Sequence, residues 1–247
     1  KNRMKTLIII PSRLSATRLP GKPLLKINGL SIISHVFKKA EAANIGEVYV
    51  ATEDQEIIED VKKNGGHAIL TNNSHKTGTD RIYEALKKLD KTDIELVMNL
   101  QGDEPLMDVK DIKNLHNQMI KNKSEIGTLA SNILSKDLYS KQSVVKVITS
   151  KSLDISQFPE ALSFVRNLNQ IKKNIYHHLG IYCYQLKTLE KFILLKQSSD
   201  EIKYKLEQLR ALDNDIKINV ALAKSAPIGV ETEEDFVAIK KIMEYKS

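Results

Sequence analysis

TLIIIPSRLSATRLPGKPLLKING, residues 6–29, opens with an apolar run that stops at Pro11 and passes into a segment carrying Arg13, Arg18 and Lys22. Leucine and isoleucine without polar alternation read as a strand buried on both faces, the signature of a parallel sheet covered by helices. In open α/β sheets, ligands gather beyond the carboxyl ends of the strands. The positive charges that follow Ile10 therefore lie where a ligand is expected. Guanidinium groups offer forked, permanently charged donors and an ammonium offers a compact point charge, so the three suit an anion such as a phosphate. Pro20 and Pro23 stiffen the segment, and Gly21 permits close backbone approach. Neither a G-x-G-x-x-G turn nor a P-loop occurs in the chain, so side chains must hold any phosphate.

Working outward, the first half repeats the strand–helix alternation. SIISHVFKKA places Ile32, Ile33, Val36, Phe37 and Ala40 at helical spacing, and EVYVATE reads as the next strand. DQEIIEDVKKN is helical up to Gly65-Gly66, HAILT is a short strand, and SHKTGTDRI starts a helix at Thr79 or Asp80 that continues through TDRIYEALKKL. IELVMNLQGDEP is a strand entering a loop, and VKDIKNLHNQMIKN is a further helix. The second half is more mixed. GTLASNIL, VVKVITS, ALSFV, HLGIYCY and KINVAL read as strands, EIKYKLEQLRAL as one helix, and TEEDFVAIKKIMEY as a closing helix with Phe236, Ile239 and Met243 stacked. The expected fold is a three-layer α/β/α domain over residues 1–247 with a largely parallel central sheet. It has a ligand-binding part at about 1–125, a smaller mixed α+β lobe at about 126–225 and a closing helix at 232–245.

Composition narrows the class. The chain has 247 residues, 41% of them hydrophobic, enough for a real core. Its longest apolar runs are a few residues, so no membrane span is expected, and KNRMKTLIIIPSR lacks the pattern of a secretory signal. A lone cysteine, Cys183, excludes an internal disulfide and a cysteine-rich zinc site, and in its apolar strand it reads as packing. The expected location is cytoplasmic. The net charge of +7 is spread over scattered lysines without interleaved aromatics, so nucleic acid is not an expected partner.

NLQGDEP brings Asp103 to the rim of the sheet, where the residues alone allow two readings. A carboxylate there suits Mg²⁺, which takes one or two carboxylates plus substrate phosphates; an acid before proline also suits a turn. At Thr79–Asp80 exposed N–H groups could hold an anion, and an ordinary helix cap is the simpler reading. His177 and His178, adjacent on a strand, point to opposite faces and cannot share one metal.

These segments together resemble the 3-deoxy-manno-octulosonate cytidylyltransferase family, also called the CMP-Kdo synthetases. IIIPSRLSATRLPGKPL looks like its nucleotide loop almost residue by residue, TGTDR like its [ST]-G-T-[DE]-R segment, and NLQGDEP like its N-x-Q-G-D-E-P segment. VVKVI, HLGIY, LEQLR and GVETEEDF follow in family order, so the resemblance covers essentially the whole chain. It implies the reaction of CTP with 3-deoxy-D-manno-octulosonate (Kdo) to give CMP-Kdo and pyrophosphate, with Mg²⁺, for lipopolysaccharide inner-core synthesis, and it implies a homodimer. It assigns Arg13, Arg18, Lys22, Thr79, Arg81 and Gln101 to the nucleotide, with Arg13, Lys22 and Asp103 catalytic. Asp103 and Glu231 would hold the metal. Gln101, Arg166, His178, Tyr182, Glu207 and Gln208 would hold the sugar.

Three departures from the family pattern stand out. Glu231 replaces the usual aspartate in GVETEEDF, His177 replaces the basic residue before HLGIY, and Val165-Arg166 replaces the serine–arginine pair. They concern the sugar and the second metal carboxylate more than CTP. Other readings are a cytidylyltransferase for 8-amino-Kdo or sialate, a nucleotide-binding relative without catalysis, and, last, a basic nucleic-acid binder.

Overall fold

The computed structural model describes residues 4–170 and 173–246. Lys1–Arg3, Ile171–Lys172 and Ser247, which fall within the expected 1–247 domain, lie outside the described residues. The chain divides into two compact units, Lys1–Ile112 with Pro227–Ser247, and Lys113–Ala226.

The first unit starts with β1 (Thr6–Ser12), a 3₁₀ turn at Lys22–Leu24, and a small antiparallel pair, β2 (Lys26–Ile27) and β3 (Leu30–Ser31). It continues through α1 (Ile32–Ala42), β4 (Glu47–Thr52), α2 (Gln55–Lys63), β5 (Ala68–Leu70), α3 (Gly78–Leu89) and β6 (Leu96–Asn99). α4 (Val109–Asn122) contains the division between the units. β1 lies between β6 and β4, with β5 beyond β4, and every one of these pairings is parallel. Leu7, Ile8, Ile9 and Ile10 are at most 1% exposed, which is why the run carries no polar alternation. Each such burial contributes about 1.5–3 kcal/mol. Parallel pairing also brings the segments after β1, β4, β5 and β6 out at one edge.

The second unit holds β7 (Ile126–Ser131), α5 (Asp137–Ser140), β8 (Lys146–Thr149), β9 (Ala161–Val165), β10 (Ile175–Gln185), α6 (Leu186–Leu194), α7 (Ser199–Tyr204), α8 (Leu209–Asp213) and β11 (Ile218–Leu222). β7 pairs with β11 in parallel and with β10 antiparallel, while β8 joins β10 to β9 in antiparallel pairs. The last helix, α9 (Glu233–Tyr245), belongs to the first unit. Its Ile239 is buried with Ile27, Ile32 and Val230, and Phe236 and Met243 pack against them, as their spacing predicts. Strands are mostly parallel, with helices on both sides, the α/β/α class expected from the sequence.

Three local expectations change. The single helix expected over EIKYKLEQLRAL is two, because Lys205 takes a left-handed conformation (φ 55°) that ends α7 with its N–H on the Glu201 carbonyl. The helix expected to start at Thr79 or Asp80 starts at Gly78, and its cap is Thr77, whose hydroxyl accepts from the Asp80 N–H at 3.2 Å. α6 is additional. It follows β10 directly, and its N-cap residue, Gln185, makes no side-chain cap, so no start signal marks it.

Candidate functional site

The segments that leave the parallel edge of the first unit enclose a cavity of about 460 Å³. The chain turns away from β1 at Ser12 and closes on itself where the Gly21 N–H donates to the Leu14 carbonyl at 2.9 Å. Gly21 has φ 75° and ψ 10°, a left-handed conformation that glycine adopts without steric cost, and this turn is what requires it. Pro23 sits in the first turn of the 3₁₀ segment, where its missing N–H is harmless. The Leu14 N–H donates to Asp54 Oδ2 at 2.7 Å, so the loop is tied to the end of the neighbouring strand. Arg13, Arg18 and Lys22 all line the cavity.

Gln101, Gly102 and Asp103, following β6, supply another wall. Lys22 Nζ lies 3.2 Å from Asp103 Oδ2, both side chains about a quarter exposed or less. Glu231 joins them because the Val230 N–H donates to the Asp103 carbonyl at 2.8 Å, which lays residues 229–231 along this loop. A reciprocal cap then fixes Glu231: Asp235 Oδ2 accepts from the N–H groups of Glu231 and Thr232, and the Thr232 hydroxyl accepts from the Asp235 N–H. Arg18 Nη1 stands 3.5 Å from Glu231 Oε2, both well exposed. The cavity thus has two cation–carboxylate pairs on its walls.

Arg81 also lines the cavity, but its guanidinium is buried and engaged, donating to the Thr71 hydroxyl and the Asn72 carbonyl and lying 3.6 Å from Glu53 Oε1. Thr79 is buried and is not among the lining residues.

Asp103 and Glu231 offer hard oxygen donors with no histidine or cysteine beside them in the lining except His75. Among the described residues no group of three or more His, Cys, Asp or Glu is gathered in a metal-holding arrangement. A cation here would take at most these two carboxylates and complete its shell from water and phosphate, the mode that Mg²⁺ prefers. Glu104 Oε2, next in sequence, is inaccessible and has no hydrogen-bond partner among the described residues. Burial, then the neighbouring Asp103 and Glu231, push its carboxyl up from 4.5 to about 8. The donor set therefore fits a divalent cation, whose charge would relieve that crowding.

Glu104 carries a pH prediction for the metal-free chain. Folded Glu104 keeps its proton to about pH 8, whereas the unfolded carboxyl loses it near 4.5. The unfolded state thus binds fewer protons between these values, and this stability is present below pH 4.5 and lost as pH rises to about 8. The slope approaches about 1.4 kcal/mol per pH unit at most. Glu104→Gln should remove it, so that urea unfolding in EDTA shows the variant gaining on wild type from pH 5 to pH 8. Parallel curves would contradict this.

The remaining expected residues belong to the second unit. β10 bulges between Leu179 and Tyr182, and Thr128 on β7 fills the irregularity. Its hydroxyl donates to the Ile181 carbonyl at 2.6 Å, which leaves it only lone pairs for His178 Nε2 at 2.9 Å. His178 therefore carries its hydrogen on Nε2 and presents Nδ1 as an acceptor. Burial, then His177, push its pKa from 6.5 down to about 3, so the ring is neutral at working pH. Its nitrogen-15 shifts should stay those of a neutral Nε2–H imidazole from pH 8 to pH 5; a titration midpoint near 6.5 would contradict the geometry.

Tyr182 lies 5.5 Å from the His178 ring, and its hydroxyl is pushed well above 10 by burial, then by Tyr184 and Glu207. Gln208 stands at the start of α8. Arg166 donates to the carbonyls of Gln142, Tyr204 and Lys205, so its guanidinium ties backbone segments together in this state. Cys183 is fully buried with its thiol pushed up to about 12, a packing residue as expected.

Sequence reading missed Asp54, Glu53, His75 and Glu104. The first two follow β4 and were within reach of the strand-end rule; Glu104 is next to Asp103, and nothing in its spacing marks its burial.

A parallel sheet whose strand ends present cations and carboxylates to one cavity suits an α/β nucleotidyltransferase, and proteins similar to this chain are of that class. The cytidylyltransferase family profile matches residues 7–218. A 3-deoxy-manno-octulosonate cytidylyltransferase of Rhodopseudomonas palustris is 41% identical over 241 residues, 97% of this chain and 98% of that one. The enzyme of that name from Brucella canis is 41% identical over 234 residues, 94% and 93% of the two chains. A solved CMP:2-keto-3-deoxy-manno-octonic acid synthetase complexed with CTP superposes with a TM-score of 0.89 at 33% identity, covering 98% of this chain and 100% of that one. The chain belongs to the cytidylyltransferase family, in its 3-deoxy-manno-octulosonate cytidylyltransferase branch.

Proposed function

We propose that this chain transfers a cytidylyl group from CTP to Kdo, giving CMP-Kdo and pyrophosphate. The observation that carries the reading is the cavity in which Arg13, Arg18 and Lys22 meet Asp103 and Glu231. The relatives named for this reaction match over nearly their full length. The sugar's anomeric hydroxyl attacks the α-phosphorus and gives its proton to solvent, the new P–O bond forms as the bond to the β-phosphate oxygen breaks, and pyrophosphate leaves in line. Such a transfer needs alignment and charge neutralisation more than covalent chemistry.

Arg13 and Arg18 hold the phosphates by forked donors. Lys22, already placed by Gly21 and Asp103, neutralises charge that develops on the leaving group. Gln101 and Arg81 complete the nucleotide walls, and Thr79 supports the start of α3. Asp103 and Glu231 would hold Mg²⁺, which would supply charge neutralisation at the phosphates and lower the pKa of the attacking hydroxyl. In the second unit, neutral His178 offers an Nδ1 acceptor to a sugar hydroxyl, and Tyr182, Glu207 and Gln208 add donors and acceptors; Arg166 serves the sugar carboxylate if it leaves its carbonyls.

A homodimer is part of this reading. The second unit exposes Leu134, Ile155, Leu162 and Leu194, apolar surface that a second copy would cover. No helix among the described residues is long and apolar enough to cross a membrane. A cytoplasmic place in lipopolysaccharide inner-core synthesis goes with the proposed product.

The test is pyrophosphate release from CTP and Mg²⁺ with Kdo, 8-amino-Kdo, sialate or no sugar. Release that depends on Kdo is the expected result. Release only with another sugar would move the specificity, and CTP binding without release would favour a non-catalytic relative.

A further inference from the structure

Between β5 and α3, residues 72–77 form a wall of the cavity with His75, Lys76 and Thr77, yet none of the six is buried. No apolar contact in the core therefore fixes their path, and polar bonds must. Within the segment the Ser74 N–H donates to Asn72 Oδ1, and Thr77 caps the helix; the side chains that reach it lie on one face of α3, at residues 81 and 84, with 88 beside them bonding to β5.

Arg81 donates to the Asn72 carbonyl at 3.3 Å, and Lys88 Nζ donates to the Leu70 carbonyl at 2.7 Å. At the centre, both oxygens of Glu84 accept the Asn72 N–H, at 2.9 and 3.1 Å, and Glu84 Oε1 also meets His75 Nε2 at 2.9 Å. Lys88 stands 3.4 Å from Glu84 Oε2. Glu84 itself is absent from the cavity lining. Burial alone would raise its pKa, but the bonds from Asn72, His75 and Lys88 outweigh that and hold it below the usual carboxylate value.

We propose that Glu84 is a positioning residue for the nucleotide, acting through Asn72 and His75 to hold the 72–77 segment as a cavity wall. The inference rests on the cytidylyltransferase reading. Without Glu84 the segment spends part of its time away from the cavity, and CTP must select the fraction that is correctly placed.

The test uses the full chain with Glu84→Ala, Glu84→Gln and His75→Ala, measuring CTP affinity by calorimetry, steady-state constants for each substrate, and thermal unfolding. Glu84→Ala should weaken CTP binding and raise the CTP KM about tenfold, with kcat at saturating CTP and the sugar KM within about twofold. Glu84→Gln, which still accepts one bond, should recover most of the loss. His75→Ala, which keeps the Asn72 bonds, should lose about threefold and serves as the readout should Glu84→Ala not fold. A lowered melting temperature with unchanged CTP affinity would overturn the inference, as would a loss confined to kcat or to the sugar. If wild type binds CTP and the variants match it, only this inference falls; if wild type does not bind CTP, the functional reading falls with it.

Discussion

Asp103→Asn is expected to lower the rate of pyrophosphate release about 10²–10³-fold, the size of effect seen when one electrostatic contact to a transition state is removed. The side chain keeps its shape, so the turn at 102–105 and the Asp103 carbonyl bond to Val230 stay in place. What changes is charge. Asp103 holds Lys22 at 3.2 Å and is one of two carboxylates that suit a divalent cation. Under the proposed function, removing it weakens the cation site while releasing Lys22 toward the triphosphate. CTP affinity in EDTA should therefore be unchanged or higher, even as turnover collapses and the Mg²⁺ concentration for half-maximal rate rises. Calorimetry with CTP in EDTA, together with a Mg²⁺ titration of pyrophosphate release, separates these effects. Turnover near that of wild type would remove Asp103 from the chemistry.

Arg210→Met should cost about 3–5 kcal/mol of stability, because it leaves a buried carboxylate without its counter-charge. Arg210 Nε and Nη2 grip Glu201 Oε1 and Oε2 at 2.9 and 2.6 Å, and the guanidinium stacks 4.7 Å from the Phe192 ring centre. The two side chains are only 7% and 5% exposed. This clasp joins α7 to α8 across the left-handed Lys205, and so holds the turn that carries Glu207 and Gln208. Urea unfolding at pH 7 measures the loss. Glu201→Leu combined with Arg210→Met should regain most of it, since the pair is then replaced by apolar groups. A single variant as stable as wild type would show that the clasp contributes nothing.

Much of the cavity was legible because it is local. Gly21, Pro23 and the apolar run before Pro11 act within a few residues, and the strand-end rule directs attention to Arg13, Lys22 and Asp103 without any knowledge of the other chain segments. Glu231 shows the opposite case. Only the resemblance attached it to the site, since it lies more than a hundred residues from Asp103 and arrives there through the Val230 bond and the cap of α9. Lys205 was illegible for another reason. A lysine between helical-pattern residues gives no local signal to stop, and the two helices on either side of the break are joined by the buried Glu201–Arg210 pair.

Residue order alone was enough for the α/β class, the parallel strands of the first unit and the cationic loop, because burial on both faces and turn chemistry are written at short range. Packing decided the rest. It gave His178 its neutral Nε2–H form through Thr128, raised Glu104 by burying it beside Asp103 and Glu231, and turned Glu84 toward the loop that precedes its own helix. Those properties depend on desolvation and on partners distant in the chain or on the facing side of a helix, which come into being only when the chain is folded.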